Sequence, residues 1–319
     1  MKKCMGCMSE YDEQLTVCPI CGYSDDVSRE QAKQVPDALP AETILQGRFI
    51  VGRILGINHF SILYIAWDAL LLRRVVIREL FPFDFCVRDG LNLVARTGPG
   101  QEVFAQLINR FEREILTLSA CQDLPFVLDY YRTFYENQTV YAYTEYIEGN
   151  TLEDLYPLGT KIEAEEGFRF ISMLGSYLST LNERKVIHGN ISPSSIYICS
   201  DRSMKLIDFG MTKRWFCSYL KSESDILRTE YCAPEILSHN VTGAVDLYSV
   251  GAVYYRLLTG KEPPAKNRRS LRVKDKMSSD IVAVLTAPRP DERMSFYSRY
   301  GESSIQGDGY GSKYQRKLF

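Results

Sequence analysis

Neither sign of charge dominates this chain. Thirty-eight Lys and Arg face 40 Asp and Glu, for a formal net charge of -2, so bulk electrostatics draws it neither to nucleic acid nor to an anionic membrane surface. An export signal is also missing. The opening "MKKCMGCMSE" has basic residues with no apolar core behind them, which is not a signal peptide. No apolar run is long enough to span a bilayer. The longest, "VDLYSVGAVYYRLL" at residues 245–258, contains Asp246 and reads as a buried helix. These absences predict a cytoplasmic, reducing setting, in which the nine cysteines are thiols or metal ligands rather than disulfides. Histidine is scarce, with three residues. His59 and His239 have no cluster of partners and read as surface residues.

What is present begins with four of those cysteines, spaced Cys4-x2-Cys7 and Cys18-x2-Cys21. Each pair sets two thiolates at one turn, and two such turns make a closed tetrahedral site, which suits zinc. Four cysteines can also hold iron. A redox dithiol would sit within a βαβ pattern, and none follows here. A ribbon this small cannot bury a core without its metal, so metal binding and folding are coupled. Residues 1–35 carry four basic and six acidic side chains, a balance that argues against a phosphate-binding face and for a structural or protein-docking role. The expected division is a zinc ribbon at 1–23, a linker with one short helical turn at 24–46, a large domain at 47–298 and a disordered Gly-, Ser- and Tyr-rich tail at 299–319.

From Arg48 the pattern changes. "RFIVGRILGI" and "FSILYIAWD" are short apolar stretches around a break at Gly56-Ile57-Asn58-His59, and "LRRVVIREL" follows as another strand. "EVFAQLINRFEREILTLSAC" carries apolar residues at helical spacing. "FVLDYYRTFYENQTVYAYTEYI" reads as two strands joined at Glu136-Asn137. Beyond Gly149 the chain is mainly helical, with a strand pair at "IYICSDRSMKLID". The fold class is therefore α+β, with a β-rich first lobe (47–145) and a helical second lobe (149–298).

An ordered set of motifs runs through this region. "LGINHFSILYIAWD", "VVIREL", Glu114 in "FEREI", "HGNISPSSI", "LIDFG", "YCAPE", "DLYSVGAVYYRLLTG" and Arg293 in "RPDERM" follow one another. Together they resemble the eukaryotic-type protein kinase domain of the Ser/Thr class found in bacteria. Singly such signatures have false positives, but not as an ordered series. The resemblance implies a two-lobed fold, Mg-ATP as cofactor and protein substrates. It also implies a nucleotide site lined by Gly56, Leu63, Val76, Arg78, Glu145, Ile147, Tyr197 and Asp208, with the hinge at Glu145-Tyr146-Ile147 after Thr144.

Phosphoryl transfer rests on positioning and charge stabilisation, and each part can be checked against the sequence. Of three loop glycines only Gly56 is kept; Asn58 and Ser61 take the other places, with branched Ile57 between. The lysine position holds Arg78, a wide planar fork instead of a compact ammonium, still able to pair with Glu114. The general-base position holds Asn190, an amide that cannot accept the substrate proton, where acid-base help is typically worth ~100- to 10,000-fold. Ser192 replaces the loop lysine, Ser195 the second metal ligand, and Gly189 the arginine that reads a phosphorylated segment. The following threonine position falls on Arg228, with Thr229 next door. Val76 and Tyr197 crowd the adenine pocket. Asp208 is intact and can hold one magnesium or simply hydrogen-bond in its loop. His188, Asp246 and the pair Glu235 with Arg293 are the parts that hold the fold.

Together these altered positions point to a pseudokinase: a regulatory or protein-binding module, catalytically impaired, with protein partners. Two alternatives stay open. One is an active Ser/Thr kinase with an atypical site. The other is an ATP-responsive switch without transfer, for which Asp208 is the deciding residue. Only 28 residues separate Pro264 from Arg293, room for one helix, "SSDIVAVLTA", where the family has two; a reduced substrate-docking region is expected there.

Overall fold

The computed structural model describes residues 1–220, 230–236, 241–264 and 271–300, the side chains of 99, 218–220 and 297–300 excepted. Arg228, Thr229, His239, residues 265–270 of the shortened docking region and residues 301–319 of the expected tail lie outside the described residues. The chain forms two compact units. The first comprises residues 1–124 and 128–147, the second 125–127 and everything from Glu148 onward.

In the first unit, β1 (Lys2–Lys3) pairs with β2 (Glu10–Tyr11), and α1 (Asp25–Gln34) follows. Five further strands, β3 (Ile44–Leu45), β4 (Phe49–Asn58), β5 (Ser61–Asp68), β6 (Arg73–Leu80) and the hairpin of β7 (Cys86–Asp89), then lead through β8 (Asn92–Ala95) to α2 (Pro99–Ser119). β9 (Tyr130–Glu136) and β10 (Thr139–Glu145) complete an antiparallel six-stranded sheet, in the order β3-β4-β5-β6-β10-β9. Asn137 and Gln138, both at positive φ (50° and 59°), make the two-residue turn between the last two strands, a geometry that asparagine tolerates and that matches strand twist. α2 buries Val103, Phe104, Leu107, Phe111, Ile115 and Leu118 along one stripe and packs on β9 and β10.

Two expectations are corrected here. No break interrupts Gly56-Ile57-Asn58. β4 runs through all three, paired Gly56 to Leu63, Ile57 to Ile62 and Asn58 to Ser61. The reason is Asn58, whose Oδ1 accepts from the Phe60 amide (3.0 Å) and the Ser61 hydroxyl (2.9 Å), closing a tight hairpin. And the linker holds a ten-residue helix, not one turn. Ser24 caps α1 by accepting from the Val27 amide, Asp25 and Asp26 sit in its first turn and Lys33 in its last, each favourable to the helix dipole.

The linker is also tied down. The Leu39 amide donates to the Tyr64 hydroxyl (3.0 Å), and Tyr64 and Tyr141 both donate to the buried Glu79 carboxylate (2.8 and 2.9 Å). Arg88 pairs with the same carboxylate at 2.7 Å and donates to the Asp37 carbonyl. The buried charge is thus paired and hydrogen-bonded, as it must be to be tolerated.

In the second unit, β11 (Gly149–Thr151) leads into α3 (Leu152–Leu155), which Thr151 and Asp154 close with a capping box. α4 (Ala164–Glu183) precedes the loop at 184–195, which ends in a 3-10 turn at Pro193–Ser195. β12 (Ile196–Cys199) and β13 (Met204–Leu206) join β11 in a three-stranded sheet of order β11-β12-β13. α5 (Met211–Leu220), α6 (Ala244–Thr259), α7 (Lys276–Leu285) and α8 (Pro290–Tyr300) follow. α6 is buried at nearly every position, as its composition predicts, and ends at Gly260 in the left-handed region (φ 68°). The fully buried Arg293 grips Glu235 with both terminal guanidinium nitrogens (2.6 and 2.8 Å) and donates Nε–H to the Ala287 carbonyl. α8 reaches two residues into the expected tail. Among the described residues no helix is long and apolar enough to cross a membrane.

Candidate functional site

The residues singled out by sequence fall into three groups, two in the first unit and one in the second. The cysteine cluster comes first. The Sγ atoms of Cys4, Cys7, Cys18 and Cys21 all lie within 4.8 Å of one another. Cys4 is 3.5 Å from Cys21, and Cys7 is 3.9 Å from Cys18. Thiolates at the corners of a tetrahedron around zinc, with Zn–S near 2.3 Å, are separated by about 3.8 Å, so these residues fit that ion. The Gly6 amide donates to Cys4 Sγ (3.2 Å), a bond that favours the thiolate. Burial on its own pushes the Cys4 thiol up to about 12.

This cysteine-bearing segment is built onto the sheet. Arg53 donates its amide to the Met5 carbonyl (2.7 Å) and its Nε to the Gly6 carbonyl (2.8 Å). Lys3 stands over the Trp67 ring, 3.6 Å from its centre, and Gln31 of α1 donates to the Ile54 carbonyl. Gly52 is required by this arrangement: a Cβ there would collide with the Met5 carbonyl and the Met8 methyl group.

The second group follows from the closed hairpin. Arg78 on β6 is buried. Its NH1 pairs with Glu114 of α2 at 2.7 Å, its Nε donates to Ser61 Oγ at 3.2 Å, and its guanidinium lies over the Phe111 ring. Ser61 in turn donates to Asn58. The residues standing in place of two loop glycines thus belong to one internal chain, Asn58–Ser61–Arg78–Glu114. Gly56, Leu63 and Val76 occupy β4, β5 and β6 of the same sheet. At the expected hinge, the Glu145 amide donates to the Asp129 carbonyl (3.0 Å), and its carbonyl accepts from the Thr144 hydroxyl (3.1 Å). Ile147 closes this unit.

The third group is the loop of the second unit. Asp246 accepts from the His188 and Gly189 amides (2.9 and 2.7 Å). Burial nevertheless raises its carboxyl to about 6. Burial holds the His188 imidazole down to about 3, so the ring is neutral, bonded at Nε2 to the Ile207 carbonyl (3.1 Å) and at Nδ1 by the Asn190 amide (3.3 Å). Asn190 turns its side chain to Asp208: Nδ2 donates to the carbonyl (2.9 Å) and to Oδ2 (3.0 Å). Asp208 sits at φ 57°, left-handed backbone that aspartate tolerates better than most residues. Ser195 is buried and accepts from the Ser192 amide (2.9 Å) while donating to the Ser192 carbonyl (3.0 Å). The Tyr197 hydroxyl donates to the Gly149 carbonyl (2.8 Å).

One residue of this group was missed by sequence reasoning. Lys213, on α5 and buried, donates its ammonium to Asp208 Oδ2. The signal available was a cation five positions after the retained acid, on a segment able to turn back as a helix. α5 is held against the loop by more than this pair. The Gly210 amide donates to the His188 carbonyl (2.7 Å), Cys217 lies in the apolar cluster with Val245 and Tyr248 of α6, and Arg214 fills the space that a side chain on Gly189 (φ 68°) would need. As arranged, these atoms do not fit a magnesium ion: Asp208 already holds a cation and an amide, and Ser195 is spent on its own loop.

Comparison with known proteins bears on the family and the fold. The family described as "Protein kinase domain" matches residues 99–304, which include the loop of Asn190 and leave the hairpin of Gly56 to Ser61 and Arg78 outside the match. Serine/threonine-protein kinase PrkC of Bacillus subtilis is 26% identical over 221 residues, 69% of this chain and 31% of that protein. Probable serine/threonine-protein kinase pknA2 of Bifidobacterium longum is 28% identical over 250 residues, 77% of this chain and 31% of that protein. The chain thus spans about a third of the length of these relatives. A solved structure of PpkA-294 in its apo form superposes with a TM-score of 0.70 at 24% identity, covering 80% of this chain and 95% of that one, a likeness of fold. With the family match covering more than half of the sequence and the motifs in order on the fold, the chain belongs to the protein kinase domain family.

Proposed function

We propose that this protein is a pseudokinase: a kinase fold that works as a regulatory or protein-binding module in the cytoplasm, with a structural zinc at Cys4, Cys7, Cys18 and Cys21. The observation that carries the reading is Asn190. At the position of the general base stands an amide that donates to Asp208 and has no lone pair basic enough to take a proton from a hydroxyl. The other altered groups support it. Arg78 and Ser61 bond to each other inside the sheet, and Ser195 bonds within its own turn.

A second reading has one observation in its favour. The Arg78–Glu114 pair is assembled, so the first unit keeps the internal ion pair that an ATP-responsive switch or an atypical kinase needs.

A phosphotransfer assay with purified full-length chain, generic protein substrates and Mg-ATP tests the proposal. We expect incorporation no greater than that of an Asp208→Ala control. Transfer that Asp208→Ala abolishes would refute it. Melting with and without Mg-ATP separates the two readings, since a ligand that binds only the folded protein raises its stability.

A further inference from the structure

We propose that Lys213 is a built-in counter-cation that takes the place of a divalent metal on Asp208 and keeps metal out of this loop. The proposal deepens the pseudokinase reading and rests on it in one respect only, that the site has no use for the metal.

The argument starts from charge. A lone carboxylate in a loop that presents backbone and carboxylate oxygens is an inviting ligand for a hard divalent cation. Asp208 is not alone. Its Oδ2 takes the Lys213 ammonium and the Asn190 amide together. An ammonium is a compact point charge with three donors, so it neutralises the carboxylate and occupies Oδ2, one of the two oxygens a metal would use. Lys213 is only 6% exposed, held by a helix whose start is bonded to the loop through Gly210 and whose Cys217 is in the core. Burial of Lys213 and the anchoring of α5 hold the ammonium beside Asp208. Asn190 completes the exclusion, because its carbonyl oxygen is the only part of that side chain able to ligate, and the amide is oriented with Nδ2 toward Asp208. Ser195, the other candidate ligand, has both hydrogen-bonding directions used within its turn. Two cations competing for one carboxylate amount to a negative coupling between Lys213 in its place and metal in its place.

Two measurements on the zinc-loaded full chain decide this. The first is decided on the wild type, with one variant as a control. Amine acylation followed by peptide mapping should modify Lys213 about tenfold or more slowly than the exposed Lys185, since reaction requires local opening, and Asp208→Asn should speed it. Equal rates for Lys213 and Lys185 in the wild type would overturn the proposal. The second is Mn2+ binding in the presence of ATP, followed by the resonance of free Mn2+. Lys213→Met should bind Mn2+ roughly 5- to 150-fold more tightly than wild type, the usual span of such couplings. The double variant with Asp208→Asn should lose that gain. Wild-type and Lys213→Met proteins with the same Mn2+ affinity would also overturn it. The functional reading is judged separately: metal-dependent phosphotransfer by the wild type sinks that reading, whereas labelling and Mn2+ affinity alone decide the role of Lys213.

Discussion

Each unit carries a buried ion pair near the positions that define the family, and the two pairs are built differently. Arg78 and Glu114 join a strand to a helix across 36 positions of sequence, and both side chains are almost wholly enclosed. Lys213 and Asp208 are five positions apart, and Asp208 keeps about a third of its side chain exposed. The first pair ties a strand to a helix; the second ties a loop carboxylate to the helix that follows it. The difference teaches that charges at motif positions need not serve one purpose. One pair joins two motif residues, and the other joins a motif residue to a partner that no motif contains.

The sharpest break in this comparison is at the first unit, which carries the four-cysteine segment. Chelation, or Cys18→Ser, should unfold residues 1–23 and expose the β4 and β5 surface they cover, because ribbon folding draws on metal-binding free energies of about 10–16 kcal/mol in small zinc peptides. Hydrogen exchange should rise at Arg53 and leave α6 unchanged. Next in size is Glu114→Ala, which leaves Arg78 buried and unpaired at a cost of about 3–5 kcal/mol. The matching removal in the second unit, Lys213→Met, should cost at most ~1 kcal/mol because its partner is partly solvated. Denaturant midpoints of the two variants measure the contrast directly, and equal costs would erase it.

How much of this was legible beforehand follows from how local each cause is. The strands, α2, the buried α6 and the pairing of Arg293 with Glu235 rest on periodicity and motif order, which a sequence displays. The closed hairpin was misread because glycine was taken as a break, whereas Asn58 supplies the turn through its own side chain. α1 was read as one turn because it buries no residue at all and so lacks an apolar stripe, though its cap and end charges were there to see. The docking of the cysteine segment could not be read, since nothing near Gly52 announces that Met5 and Met8 will lie against it.

Gly52 gives the next test. Gly52→Ala should destabilise by about 1–3 kcal/mol, the usual cost of overpacking, and most of the loss should disappear in a chain truncated before residue 24, where only the tight contact with Ile65 is left. The smallest effect is a pH signature. The His188 ring is neutral when folded and charges more readily when unfolded, so its contribution is present above pH 6.5 and is lost as pH falls toward 3. The stability gap between wild type and His188→Gln should therefore narrow below pH 6.5, by at most ~1.4 kcal/mol per pH unit. Asp246, raised by burial, has the opposite slope between 3.8 and about 6, but it titrates in both proteins and cancels in the difference.

Gly189 ties its loop to α5. The volume beside it is filled by Arg214, from a helix that also delivers Lys213. Arginine placed at 189 would meet that side chain, and aspartate placed at 190 would set a second carboxylate beside Asp208. An exchange at either position is therefore unfavourable while the present neighbours stand, so the loop and α5 must change together if they change at all.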